Sequence, residues 1–121
     1  MDNISLGKLG ERIASEYLQK QGYKIIETNF YKRWGEIDIV ANDPKASLGQ
    51  DVLVIVEVKT RMEFDRISPE ESMTTWKIGT LKRTALFYKN LHPELPKLKR
   101  IDFVGVRLNS ELKPIKINLI K

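Results

Sequence analysis

An α/β fold, with a mixed central sheet flanked by helices, is what this sequence predicts. Residues 5–21 repeat apolar side chains at helical spacing. Residues 52–60, "VLVIVEVKT", are almost all β-branched or apolar. A second helical pattern over about 74–90 separates that strand from two later ones. Short apolar runs interrupted by helix-length segments are the pattern of helices laid on a sheet.

The first helix takes Ser5 as its N-cap and Leu6, Leu9, Ile13 and Tyr17 as one apolar stripe. Gly22 falls where a left-handed C-terminal residue is expected. Gly7, Ala14 and Leu18 flank Glu11, and such small neighbours let that carboxylate lie against another element. Three strands follow: "YKIIETNF" (23–30), "EIDIVA" (36–41) and residues 52–60. The third reads as a central strand covered on both faces. Between the last two, "NDPKASLGQD" is rich in turn residues and predicts a loop joining an antiparallel pair.

Ser68-Pro69-Glu70-Glu71 carries a helix-start signal. Ile78, Leu81, Ala85 and Tyr88 form the stripe of the second helix. "RIDFVGVRL" (100–108) and "PIKINLI" (114–120) complete the sheet. No repeat, linker or low-complexity segment divides the chain, so residues 1–121 are expected to form one domain. Trp34 and Trp76 could stack on unpaired bases, but aromatics beside strands and helix starts more often enter a core.

Composition narrows the function. No apolar run approaches the roughly 20 residues that span a bilayer. "MDNISLGKLGER" has neither a basic n-region nor an apolar h-region, so no secretory signal is expected. Without cysteine there is no disulfide, no thiolate nucleophile and no cysteine-based zinc site, which fits a cytoplasmic protein. The net charge of +5 is uneven. Residues 77–100 hold Lys77, Lys82, Arg83, Lys89, Lys97, Lys99 and Arg100 against the single acid Glu94. That segment predicts a polyanionic partner, nucleic acid before a membrane surface, with Lys82 and Arg83 as candidate contacts. The competing reading is a solvated basic helix face.

The chemistry lies in "GEIDIVANDPKASLGQDVLVIVEVKTR" (35–61). Side chains alternate along a strand, so Glu57 and Lys59 share a face about 7 Å apart. Pairing of the two strands as a hairpin brings Asp38 beside Glu57. Two converging carboxylates repel unless a proton or a cation sits between them. A hard divalent cation, Mg2+ or Mn2+, suits oxygen donors and a substrate phosphate. Lys59 can then orient or deprotonate water, or stabilise developing charge. The alternative is a structural Glu57–Lys59 pair at a strand end, with Asp38 solvated.

In these residues the sequence resembles the PD-(D/E)xK nucleases, with Asp38 and "EVK" (57–59) as the core motif. More closely, "GKLGERIASEYLQKQGYKIIETNF", "GEIDIVA" and "VEVKTR" resemble the bacterial YraN-like family, which is similar to archaeal Holliday-junction resolvases. The resemblance spans residues 7 to about 104 and includes Lys77, Leu81, Ala85 and Tyr88. It implies a restriction-endonuclease-like core and metal-dependent cleavage of DNA, including branched DNA. It assigns Glu11, Asp38, Glu57 and the Val58 carbonyl to the metal, and Lys59 to catalysis. The proline of the motif's name is absent, because Ile37 precedes Asp38.

Arg61 and Lys77 can contact phosphates, or can be ordinary surface charge. Glu36 is a further candidate ligand, although a hydrogen bond to the neighbouring loop is the favoured reading. A homodimer would suit a symmetric two-strand cut, but no heptad or apolar patch in the sequence builds one. The alternative function is a nucleic-acid-binding module that recruits another enzyme.

Overall fold

The structure is a computed structural model and describes residues 3–47 and 50–121. Its first helix, α1 (Asn3–Lys20), is the predicted one, started two residues earlier. Ser5 therefore lies inside the first turn and is not the cap. Ala14 and Leu18 are fully buried, while Leu6, Leu9 and Ile13 pack around them. The buried stripe is thus turned towards the small-residue strip that flanks Glu11. Gly22 has φ 98° and ends the helix. Its N–H donates to the Gln19 carbonyl and the Tyr23 N–H to that of Leu18, both at 3.0 Å. These bonds satisfy carbonyls at the helix end and seat Tyr23 in the core.

Five strands follow in one sheet: β1 (Lys24–Lys32), β2 (Gly35–Ser47), β3 (Gln50–Met62), β4 (Leu98–Leu108) and β5 (Pro114–Ile120), in that spatial order. All neighbouring strands are antiparallel except β3 and β4, which run parallel. The sheet is therefore mixed, as predicted. α2 (Thr75–Leu91) lies between β3 and β4 in the chain. Val52, Val54, Val56 and Val58 join the core on the α1 side, and Leu53 and Ile55 the core around Leu81, Ala85 and Tyr88 of α2. That alternation is why β3 reads as a continuous apolar run.

Several further expectations need correction. The predicted loop over 42–51 is largely strand, because β2 continues to Ser47 and β3 starts at Gln50; residues 48 and 49 lie outside the described residues. Pro44 is tolerated there because β1 pairs with β2 only as far as Asn42, and the β2–β3 register shifts after Asp43. The signal at Ser68–Glu71 starts only a four-residue 3-10 turn, Pro69–Ser72, in which the Ser68 N–H donates to the Glu71 carboxylate. α2 has its own cap, Thr74, whose hydroxyl accepts the Lys77 N–H at 3.1 Å.

The two tryptophans are not core residues: Trp34 is 51% and Trp76 75% exposed. Trp76 lies roughly a third of a turn round α2 from the buried Leu81, Thr84, Ala85 and Tyr88, at 3.6 residues per turn. Much of the basic segment is also engaged elsewhere. Arg100 is bound by Asp43 and Asp102, and Lys89 donates to the carbonyls of His92, Pro93 and Leu95. The side chain of Lys99 lies outside the described residues.

Two glycines of α1 make opposite predictions. A Cβ at Gly10 would overlap the Thr60 hydroxyl and lie 2.9 Å from Thr60 Cβ on β3, whereas nothing stands within 4 Å of one at Gly7. Thr60 is β-branched and yields little. Gly7→Ala is expected to stabilise by about 0.5–1 kcal/mol through helix propensity. Gly10→Ala should destabilise by about 1–3 kcal/mol through overpacking. Urea midpoints that move in the same direction for both would contradict this close approach of α1 to β3.

Candidate active site

The β2–β3 ladder stops before either strand does. Its last pair on this side is Ile39 with Val56, yet β2 begins at Gly35 and β3 runs to Met62. Over these residues β2 keeps its pairing with β1 and β3 its pairing with β4. The sheet is forked, and Asp38 and Glu57 are the first residues inside the fork. Asp38 Oδ2 accepts the Val58 N–H at 2.8 Å, in place of a ladder carbonyl. In an extended strand the N–H and C=O of one residue point to the same side. The Val58 carbonyl is therefore directed into the fork as well.

The cleft so formed has a volume of about 250 Å3, and Glu11, Glu36, Asp38, Glu57, Lys59 and Lys77 line it. Glu11 enters from α1. The side-chain amide of Asn29, in the orientation that lets its nitrogen donate, reaches both Glu11 carboxylate oxygens at 2.9 and 3.0 Å. Asn29 has φ 56°, a left-handed backbone that asparagine tolerates better than most residues. Lys77 enters from the first turn of α2, with Nζ 3.9 Å from Glu57 Oε1. That separation is long and the lysine is partly solvated, so the pair contributes little stability.

The carboxylates are crowded enough to hold protons. Burial and then the Asp38 charge raise Glu57 from the ordinary 4.5 to about 8, against the opposing pull of Lys77. Asp38 is itself raised by burial, opposed by the Val58 N–H, and it shares a hydrogen bond with Glu57. Glu11 is raised to about 7 by burial, Asp38 and Glu36, with Lys8 opposing. Lys59 is lowered by burial and then by the neighbouring charges of Lys77 and Arg61. Perturbation of this kind, in both directions within one cleft, is typical of reactive sites.

A dependence of stability on pH follows. Between pH 4.5 and about 8 the folded protein retains a proton on Glu57 that the unfolded chain has released. The stabilisation is fully present below the unfolded value and is lost as pH rises through the folded one. The metal-free protein should therefore melt roughly 5–10 °C lower at pH 8.5 than at pH 6. A melting temperature that is flat or rises over this range would show that the carboxyls are not in repulsive contact.

The other sequence candidates distribute unevenly. Arg61 follows Glu57 and Lys59 on the same strand face, and its Nε is buried with no hydrogen-bond partner among the described residues. Lys82 borders a different cavity, an apolar groove of about 640 Å3 beside Ile101 and Phe103 of β4, and stands away from the carboxylates. Arg83 is exposed and donates to Thr80 Oγ1 at 3.3 Å. Glu36, for which a bond to the neighbouring loop was the favoured reading, instead lines the cleft and adds to the charge acting on Glu11, Asp38 and Glu57. Asn29 had no predicted role, although an asparagine inside a strand segment is a visible anomaly.

Among the described residues no group of three or more His, Cys, Asp or Glu side chains is placed closely enough to hold a metal ion as they stand. What exists is an open cleft with oxygen donors only: three carboxylates from α1, β2 and β3, with the Val58 carbonyl beside them. Such a donor set fits a hard divalent cation better than a soft one.

Residues 10–106 match uncharacterised protein family UPF0102. The chain belongs to that family. It is the YraN-like family whose motifs the sequence carries. A UPF0102 protein of Syntrophomonas wolfei is 42% identical over 118 residues, covering 98% of this chain and 96% of the relative. One from Caldicellulosiruptor bescii is 38% identical over 122 residues, covering 100% and 98%. One from Thermodesulfovibrio yellowstonii is 44% identical over 107 residues, covering 88% of each. The UPF0102 match takes in Glu11, Asn29, Asp38, Glu57, Lys59 and Lys77 and leaves out β5.

Proposed function

We propose that this protein is a nuclease of restriction-endonuclease-like fold that hydrolyses phosphodiester bonds in DNA, including branched DNA, with bound Mg2+ or Mn2+. The observation that carries the reading is the fork in the sheet. The carboxylates of Glu11, Asp38 and Glu57 line one cleft with Lys59, and burial together with neighbouring negative charge raises the proton affinity of all three in spite of the Asn29 amide, the Val58 N–H and Lys77. Glu11, Asp38, Glu57 and the Val58 carbonyl would hold the ion. The chemistry that such an ion supplies is activation of water and neutralisation of charge developing at phosphorus.

The chain's own residues do the rest. Asn29 fixes Glu11, and the Val58 N–H fixes Asp38, so two carboxylates are oriented before substrate arrives. Lys59, with its lowered proton affinity, donates to a phosphate oxygen and can return a proton to the leaving oxygen. Arg61 and Lys77 supply positive charge for the phosphate backbone. A pure binding module fits less well, because buried carboxylates without a cation repel phosphate.

The test is strand cleavage of forked, cruciform and single-stranded DNA by the purified protein with Mg2+ or Mn2+. Cleavage should vanish in EDTA and in Lys59→Ala. Equal cleavage by parent and variant would mean contamination and end the proposal. Strong, salt-sensitive binding without cleavage, indifferent to divalent ions, would instead identify a binding module. Mn2+ is also expected to raise the melting temperature more at pH 8.5 than at pH 6, because at the lower pH it competes with the protons on Glu57 and Glu11.

A further inference from the structure

Only two tryptophans occur in this chain, and both are exposed. They belong to one surface. Trp76, Thr80, Arg83 and Phe87 recur at intervals of four, three and four along α2 and so share one helix face. The β1–β2 turn leans on that face: Gly35 approaches the side chains of Thr84 and Thr80, and the rings of Trp34 and Phe87 meet in a T-shaped pair with centroids 5.1 Å apart. The stripe from Trp76 to Trp34 covers about 16 Å of helix, at 1.5 Å per residue.

Cations alternate with these rings. Arg83 lies between Trp76 and Phe87, and Lys32 Nζ sits 5.6 Å from the Phe87 ring centroid. One end of the stripe adjoins Lys77, which points into the acidic cleft, and Trp34 is two residues from Glu36 at the cleft wall. Among the described residues no ring packs on Trp76. Exposed ring faces interleaved with cations suit bases stacked one after another and phosphates running between them. Paired bases inside a duplex have their faces covered by their neighbours, so this surface selects unpaired ones.

We infer that this stripe binds a single-stranded stretch of DNA, with bases stacked on Trp76 and Trp34 and phosphates on Arg83 and Lys32. Its relation to cleavage rests on the nuclease reading above; the binding itself does not. An anionic membrane is the other surface that seeks tryptophan and arginine, but Thr80 and Arg83 interrupt the face between Trp76 and Phe87, where insertion into a headgroup layer needs a continuous apolar one.

The tryptophans are their own reporters. In EDTA, a 20-nucleotide oligothymidine should quench the intrinsic fluorescence more strongly, and at lower concentration, than a 20-base-pair blunt duplex. Trp76→Ala should weaken oligothymidine binding roughly tenfold, Trp76→Phe should restore it to within about twofold, and duplex binding should change less than twofold. The melting temperature should be unaffected by Trp76→Ala, since the ring is exposed.

Unchanged oligothymidine affinity in both Trp76→Ala and Trp34→Ala, or equal quenching by the duplex, would overturn the inference. So would an emission shift with vesicles of anionic phospholipid in the absence of quenching by the oligonucleotide. If the stacking signature is present but no DNA is cut in Mn2+, the surface stands and the nuclease reading falls.

Discussion

Glu57→Gln is expected to leave a folded protein that cuts DNA roughly 10^3-fold more slowly than the parent, with Asp38→Asn similar. The same substitution should stabilise the metal-free protein at pH 8.5, because it removes a carboxylate raised to about 8 by burial and by Asp38. These opposite signs distinguish a reactive cleft from a structural ion pair. If Glu57 existed to hold Lys77, its loss would destabilise the fold and Lys77→Met would do the same. Asp38→Asn can still accept the Val58 N–H through its amide oxygen, so its loss of activity would not reflect loss of the strand fork. Cleavage rates and urea midpoints measured on the same preparations decide the matter. Activity within tenfold of the parent for both variants would remove these carboxylates from the mechanism.

Arg100→Ala should destabilise the protein by about 3–5 kcal/mol. The Arg100 guanidinium lies 2.6 Å from Asp43 Oδ2 and 2.7 Å from Asp102 Oδ1, and it also donates to the Tyr23 hydroxyl. Tyr23 in turn donates to Asp102 Oδ2 at 2.9 Å. Asp43 and Asp102 are almost completely buried, so removal of the arginine strands two carboxylates away from water. Domains of this size are stable by only about 5–15 kcal/mol, so the loss is a large share of the total. Arg100→Lys should rescue poorly, because one ammonium cannot reproduce the two-pronged geometry. Urea unfolding measures both variants, and a midpoint near that of the parent would show the network to be dispensable. DNA binding is expected to survive in any Arg100 variant that folds, since this arginine is occupied inside the protein.

Arg100 also illustrates what a charge run leaves undecided. Counted along the chain it belongs to a basic segment; in the fold it is spent on Asp43, 57 residues away, and Lys89 on the end of its own helix. Lys82 and Arg83 are neighbours in sequence, but Lys82 borders the apolar groove and Arg83 lies with Thr80 on the exposed face, because consecutive helical residues point about 100° apart. Lys77 was one candidate among several and became a cleft residue only because the first turn of α2 brings its Nζ within 3.9 Å of Glu57. Trp76 and Trp34 read as core from their type, and only the orientation of α2 and of the β1–β2 turn exposes them.

By itself the sequence determined the order of helices and strands, the alternation that sets Val52, Val54, Val56 and Val58 against Leu53 and Ile55, and the nearness of Asp38 to Glu57. These are consequences of two- and 3.6-residue periods and of antiparallel pairing, which act locally and are written in residue order. Tertiary structure alone decided where the β2–β3 ladder ends, which helix face meets the sheet, and which charges find partners. The reason is physical: those outcomes depend on competition among distant groups for the same hydrogen bonds and the same buried volume. That competition pairs Asn29 with Glu11, seats Gly10 on Thr60, and opens the fork in which the carboxylates meet.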